Sequence, residues 1–97
     1  SMPIQHETNG RQGRFFIPGM NEQPLAEMTY HTAADGRMVI EHTEVDEALQ
    51  GRHIGLALVQ AAVHYARQQS LRIQALCPFA YAVFQKNPAL ADVWINQ

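Results

Sequence analysis

The alternation of apolar and polar positions divides this chain into a strand-rich first half and a helix-centred second half. Arg14-Phe15-Phe16-Ile17 is a short strand-like run closed by the turn dipeptide Pro18-Gly19. Residues 24–32, PLAEMTYHT, set Leu25, Glu27, Thr29 and His31 against Ala26, Met28 and Tyr30, which is the period of a half-buried strand. Asp35-Gly36 supplies a hairpin turn. Residues 37–45, RMVIEHTEV, then place Met38, Ile40, His42 and Glu44 on one face and Val39, Glu41, Thr43 and Val45 on the other. The pattern predicts a three-stranded antiparallel meander that begins near Gly13. Residues 1–12 are polar and patternless, and are expected to be flexible.

After the linker DEALQG the period changes. Residues 53–69 carry Ile54, Leu58, Ala61, Ala62 and Tyr65 along one face at helical spacing, with His53, Gln60, His64 and Arg67 opposite. LRIQALC, residues 71–77, alternates Leu71, Ile73 and Ala75 with Arg72, Gln74 and Leu76, and ends at Cys77-Pro78. Strand, helix and strand in succession imply a crossover that sets the second strand parallel to the first. Residues 79–86, FAYAVFQK, predict a short helix stopped by Asn87-Pro88, and the tail ALADVWIN is apolar enough to dock through Trp94. The expected fold class is α/β (α+β): one domain over residues 1–97, with an antiparallel meander, a β-α-β crossover and a short C-terminal helix.

Composition narrows the function classes. The chain has 97 residues, 46% hydrophobic and 16% charged, a balance suited to a folded domain. At this size only roughly two-thirds of the unfolded surface is buried, so a monomer or a weak homodimer is expected. The net charge is −2 and the seven Lys and Arg are scattered, without the basic stripe of a nucleic-acid binder. No apolar run reaches the roughly 20 residues of a membrane span, and no signal-peptide pattern is visible, which predicts a cytoplasmic location. Ser1-Met2 reads as a remnant ahead of the native start. Cys77 is the lone cysteine, and neither its surroundings nor the five histidines match a metal-ligand spacing, so no metal is expected.

QGRHIGLALVQAAVHYA, residues 50–66, sets Gly51 and Gly55 at the mouth of the longest helix. The first N–H groups of a helix lack intrahelical partners and sit at the positive end of its dipole. Small residues there, Gly51, Gly55 and Ala57, let a phosphate approach. The alternative makes Gly51 a linker bend and Gly55 a contact between helix and sheet. The stretch is neither a Walker A loop nor a dinucleotide fingerprint.

Arg52-His53-Ile54-Gly55-Leu56-Ala57 resembles the R/Q-x-x-G-x-G/A signature of the GNAT acetyltransferase superfamily, in which this turn holds the pyrophosphate of acetyl-CoA. The segment HTEVDEALQGRHIGLALVQAAVHYARQQSLRIQALCPFAYAVFQKNP is similar to short single-domain members, which pair a His-Thr-x-Val strand end with the glycine turn and a cysteine-bearing strand end. The resemblance implies acetyl transfer from acetyl-CoA to an amine acceptor. It assigns the backbone of residues 52–57 to the pyrophosphate and Thr43, Glu44 and Val45 to the pantetheine arm. The helices that shape the acceptor pocket in longer members have no counterpart, since only PGMNEQ joins the first two strands.

Cys77 sits where a strand ends and Pro78 can open a helix, a position that favours the thiolate. Transfer to it would exchange one thioester for another; the alternative is a small buried hydrophobe. His42 is the candidate base, sharing its face with Met38 and Ile40 and meeting Cys77 at the same sheet edge; Glu41 and Glu44 are alternatives. Lys86 is a candidate for the 3′-phosphate of CoA, and one of Phe79, Tyr81 and Phe84 for the pantetheine channel. His31, His53 and His64 read as structural or exposed, and His6 as part of a tail. A non-catalytic CoA-binding module and a protein-interaction domain are the competing functions.

Overall fold

Ala26, Met28 and Tyr30 decide which way the sheet faces, because all three are buried and lie on one side of the same strand. The computed structural model describes residues 3–96; the remnant expected at Ser1-Met2 lies outside the described residues. Its elements are β1 (Gln5–Asn9), β2 (Gln12–Ile17), β3 (Ala26–Thr32), β4 (Met38–Val45), α1 (Ile54–Gln69), β5 (Ile73–Ala75) and α2 (Pro78–Lys86). One sheet has the order β1-β2-β3-β4-β5, antiparallel throughout except for the parallel pair β4 and β5. The mixed α+β class and the crossover are as the sequence predicts.

The start of the fold is not. Residues 5–9 form a fourth antiparallel strand, with Gln5 opposite Phe16 and Asn9 opposite Gln12, and Gly10 turns the hairpin at φ 65°. All five side chains of β1 are exposed, so no alternation marks it in the sequence. Backbone pairing recruits it, helped by the contacts of His6 with Phe15 and of Glu7 with Arg14. The strand expected over residues 71–77 is also shorter, and α2 starts at Pro78, whose fixed φ suits a first helical position.

Leu58, Val59, Ala62, Val63 and Ala66 form the buried stripe of α1, while Ile54, Ala61 and Tyr65 are half-buried at its border. The stripe lies about one position round from the expected one. His53, Gln60, His64 and Arg67 are exposed as the pattern requires. Burying Leu58, Val59 and Val63 each contributes about 1.5–3 kcal/mol against the sheet. The helix ends at Ser70, left-handed at φ 57°, whose N–H returns to the carbonyls of Ala66 and Arg67.

The chain end docks as expected. Trp94 stacks on Phe84 at 5.7 Å and meets the edge of Tyr81 at 5.5 Å. Ile73 donates to the Val93 carbonyl at 2.6 Å and accepts from Ile95 at 2.8 Å. Arg67 binds both carboxylate oxygens of Asp92 and the Ala89 carbonyl. On the face of the sheet without helices, the Arg14 guanidinium lies 3.7 Å over the Phe16 ring and bonds Glu7 and Glu27 at 2.9 Å, which keeps Phe16 from water.

His6 belongs to the core edge rather than to a tail. Its ring stacks on Phe15 at 4.1 Å, meets Tyr65 edge-on at 4.4 Å, and holds Nε2 2.6 Å from the Tyr30 hydroxyl. Burial holds the imidazole below its ordinary pKa of 6.5, and burial, then Tyr65, pushes Tyr30 up to about 12. Tyr30 therefore keeps its proton and donates it to a neutral imidazole. Because the folded chain binds the His6 proton less readily than the unfolded one, this stability is present above pH 6.5 and lost as the pH falls through the lowered folded value. Between about pH 8 and about pH 5 the thermal midpoint of the wild type should fall further than that of His6→Phe, which stacks but cannot titrate. Parallel falls would place the pH sensitivity elsewhere.

Candidate active site

The parallel pairing of β4 and β5 ends at Ile40 and Ala75, with a last bond from Leu76 N–H to the Ile40 carbonyl at 2.9 Å. Beyond it β4 runs on to Val45, while the segment after β5 turns at Cys77 into α2. The strands part, and a gap opens between them.

An irregularity in β4 sets what faces that gap. Tyr30 pairs with Ile40 but Thr29 pairs with His42, so Glu41 is an extra residue, a β-bulge. One extra residue reverses every side chain after it. Thr43 and Val45 therefore share the helix-covered side with Met38 and Ile40, opposite Met28 and Ala26. His42 and Glu44 emerge on the open face, exposed, opposite Thr29 and Glu27. The expectation that His42 shares a face with Met38 and Ile40 and meets Cys77 is corrected by this bulge. Asp46 N–H donates to the Leu25 carbonyl at 2.8 Å, which fixes the hydrogen-bonding phase of the strand end. By alternation, Thr43 and Val45 turn their amide groups away from β3 and toward the gap. The Val45 carbonyl is taken by Gln50 Nε2 at 2.9 Å.

Above the gap lies the glycine turn. Asp46 accepts from Ala48 N–H at 2.9 Å to start a short 3₁₀ turn, and buried Leu49 pins that turn to the core. Gly51 at φ 80° and His53 at φ 59° then bend the chain into α1 through left-handed conformations. No side chain caps α1, and its first turn holds no acidic residue. Ala57 N–H already bonds the His53 carbonyl at 3.0 Å. The unpartnered row is therefore Ile54, Gly55 and Leu56, narrower than residues 52–57, and it presents the positive end of the helix.

The turn, the gap and α2 enclose an open cleft of about 820 Å³. Thr43 and Val45 form its floor; Gly51, His53, Ile54, Gly55 and Leu56 one wall; Phe79, Val83 and Lys86 the other. Of the residues singled out in the sequence, Glu41, His42, Glu44, Arg52, Ala57, Cys77, Tyr81 and Phe84 do not line it; Cys77 reaches it only through its contact with Thr43. Leu49, Gln50, Ala82 and Asn87 do, and no motif marks them. Both alternatives for the glycines are partly realised. Gly51 is a bend, while a Cβ on Gly55 would come within 2.6 Å of the Phe79 ring, a neighbour on α2 rather than on the sheet. The uncapped N–H row, a first helical turn without an acidic residue and Lys86 in the lining suit a polyanionic ligand.

Cys77 is the N-cap of α2, 6% exposed, and its Sγ–H donates to Thr43 Oγ1 at 3.4 Å. The side chains that meet beneath the cleft are thus Cys77 and Thr43. Among the described residues no group of three His, Cys, Asp or Glu is placed to hold a metal, and no helix is long and apolar enough to cross a membrane.

A family model described as GCN5-related N-acetyl-transferase matches residues 14–93. The solution structure of a GCN5-like protein from Staphylococcus aureus superposes with a TM-score of 0.75 at 31% identity, over 96% of this chain and 89% of that one. Protein NATD1 of Danio rerio is 26% identical over 85 residues, which are 88% of this chain and 76% of its own. The ribosomal-protein-S18-alanine N-acetyltransferase of Escherichia coli shares the fold, with a TM-score of 0.61 at 15% identity over 81% of this chain and 53% of its own.

The contact between Gly55 and Phe79 makes the turn testable. Gly55→Val should weaken CoA binding at least roughly tenfold by calorimetry while the variant still melts cooperatively. Adding Phe79→Ala separates two causes. If the double variant binds like the wild type, displaced Phe79 was the obstruction and the N–H row was not.

Proposed function

The chain belongs to the GCN5-related N-acetyltransferase family, and from that premise we propose that it moves acetyl from acetyl-CoA to an amine through a thioester on Cys77. The observation that best supports this reading is the parting of β4 and β5 beneath an uncapped helix mouth, with the buried Cys77 thiol bonded to Thr43 on the cleft floor. The N–H groups of Ile54, Gly55 and Leu56 receive the pyrophosphate, and Lys86 faces the 3′-phosphate. The gap-facing N–H and carbonyl of Thr43 and the N–H of Val45 bind the pantetheine amides as an added strand would, while the Val45 carbonyl stays with Gln50. Bound acetyl-CoA supplies an acyl group already activated as a thioester.

The sulfur of Cys77 forms a bond to the acyl carbon as the bond to the CoA sulfur breaks, and the thiol proton passes to the departing sulfur. The amine then bonds the same carbon, releasing the Cys77 sulfur, which regains a proton from the amine. Each step exchanges one bond for another and splits a harder transfer in two. The amine can reach the gap from the open face of the sheet, where nothing of the described chain covers His42.

That placement of His42 favours a second reading. In it the amine attacks acetyl-CoA directly and His42, on the open face, accepts its proton. Intact-mass spectrometry after incubation with acetyl-CoA distinguishes the two. The relay predicts one added acetyl group on the wild type and none on Cys77→Ala, with CoA affinity retained. Direct attack predicts that Cys77→Ala acetylates an amine at the wild-type rate. Absence of CoA binding at millimolar ligand would remove both readings in favour of an interaction domain.

A further inference from the structure

We propose that Thr43 is a positioning residue for the Cys77 sulfur, and that its hydroxyl turns from accepting the thiol proton to donating toward the acyl oxygen as acetyl arrives. The inference rests on the Cys77 relay proposed above. Among the described residues, Thr43 is the side chain hydrogen-bonded to Cys77, with Sγ 3.4 Å from Oγ1, and neither an imidazole nor a carboxylate bonds this sulfur. A thiol has one soft rotation left once its Cβ is fixed, and this bond sets it. With the S–H directed at Thr43, whose side chain lines the cleft, a sulfur lone pair is left for the acyl carbon.

A hydroxyl that accepts a hydrogen bond still has its own hydrogen to give. The Thr43 hydroxyl donates to no side chain or backbone carbonyl among the described residues. When the Sγ–acyl bond forms and the bond to the CoA sulfur breaks, the thiol proton leaves with the departing sulfur, and negative charge builds on the acyl oxygen. The Cys77 sulfur then has no hydrogen to offer Thr43. The freed hydroxyl can direct its own hydrogen to that oxygen, in a site where the neighbouring thiol is 6% exposed and water competes poorly.

The bulge makes the arrangement specific. Thr43 reaches Cys77 because Glu41 is extra in β4, so the strand presents a hydroxyl where regular alternation would present His42. Thr43 is β-branched, which restricts its rotamer and holds Oγ1 in place.

Thr43→Val keeps the branched shape and removes the hydroxyl, and Thr43→Ser keeps the hydroxyl and loses the branch. At saturating acetyl-CoA, acetylation of Cys77 followed by intact mass should slow roughly a hundredfold in Thr43→Val and recover to within about tenfold of wild type in Thr43→Ser. CoA affinity by calorimetry and alkylation of Cys77 by iodoacetamide should each change by less than about threefold, since neither needs the aligned sulfur. Wild-type acetylation in Thr43→Val would overturn the assignment, as would equal slowing in both variants. So would a loss matched by CoA affinity or by alkylation, which would mean binding or access instead. A wild-type protein that binds CoA but gains no acetyl group would remove the relay, and this role with it; a gain that Thr43→Val leaves intact removes the role alone.

Discussion

Two conditions meet where β4 leaves β5: the strands stay paired as far as Ile40 and Ala75, which holds the sheet together, and then separate, which takes the amide groups of Thr43 and Val45 out of the ladder. The Glu41 bulge reconciles them. Without it, Thr43 would point at the open face with its amides bonded to β3, and His42 would sit under the helices. With it, Thr43 and Val45 turn both their side chains and their amide groups to the cleft. The turn from Gly51 to α1, the Phe79 wall and the thiol of Cys77 all converge on that stretch of strand.

The fold was legible wherever burial was one-sided. The alternation of Ala26, Met28 and Tyr30 against Glu27, Thr29 and His31 gives β3 directly, and the helical spacing of Leu58 and Ala62 gives α1. β1 escaped because it has no alternation of buried and exposed positions, and its anchors are backbone hydrogen bonds and the long-range contacts of His6, which a sequence does not display. The buried stripe of α1 lies off the expected one because that face counts Ala61 and Tyr65 and leaves out Val59 and Val63. Val59, Val63 and Ala66 bury their whole side chains, while Ala61 and Tyr65 mark the edge.

The site was legible through its backbone chemistry and less so through its side chains. Glycine at a helix mouth and a cysteine ahead of Pro78 are local features, fixed by neighbours in the chain, and both stand where expected. The pairing of His42 with Cys77 depended on counting alternate residues across β4. A bulge built from Glu41, with no glycine to mark it, breaks that count. The hydroxyl one residue further on took the place of the imidazole.

The two rims of the sheet are finished by different means. β1 shows its free edge as a short run of polar side chains that includes Glu7. β5, only three residues long, has its outer edge covered by the chain's own end, where Ile73 bridges to Trp94 and Arg67 clamps Asp92. An open parallel edge is a template for intermolecular strand pairing, and a polar or covered one is a poor template. The docked C-terminal segment is therefore also a guard against strand-to-strand pairing at the parallel rim of the sheet.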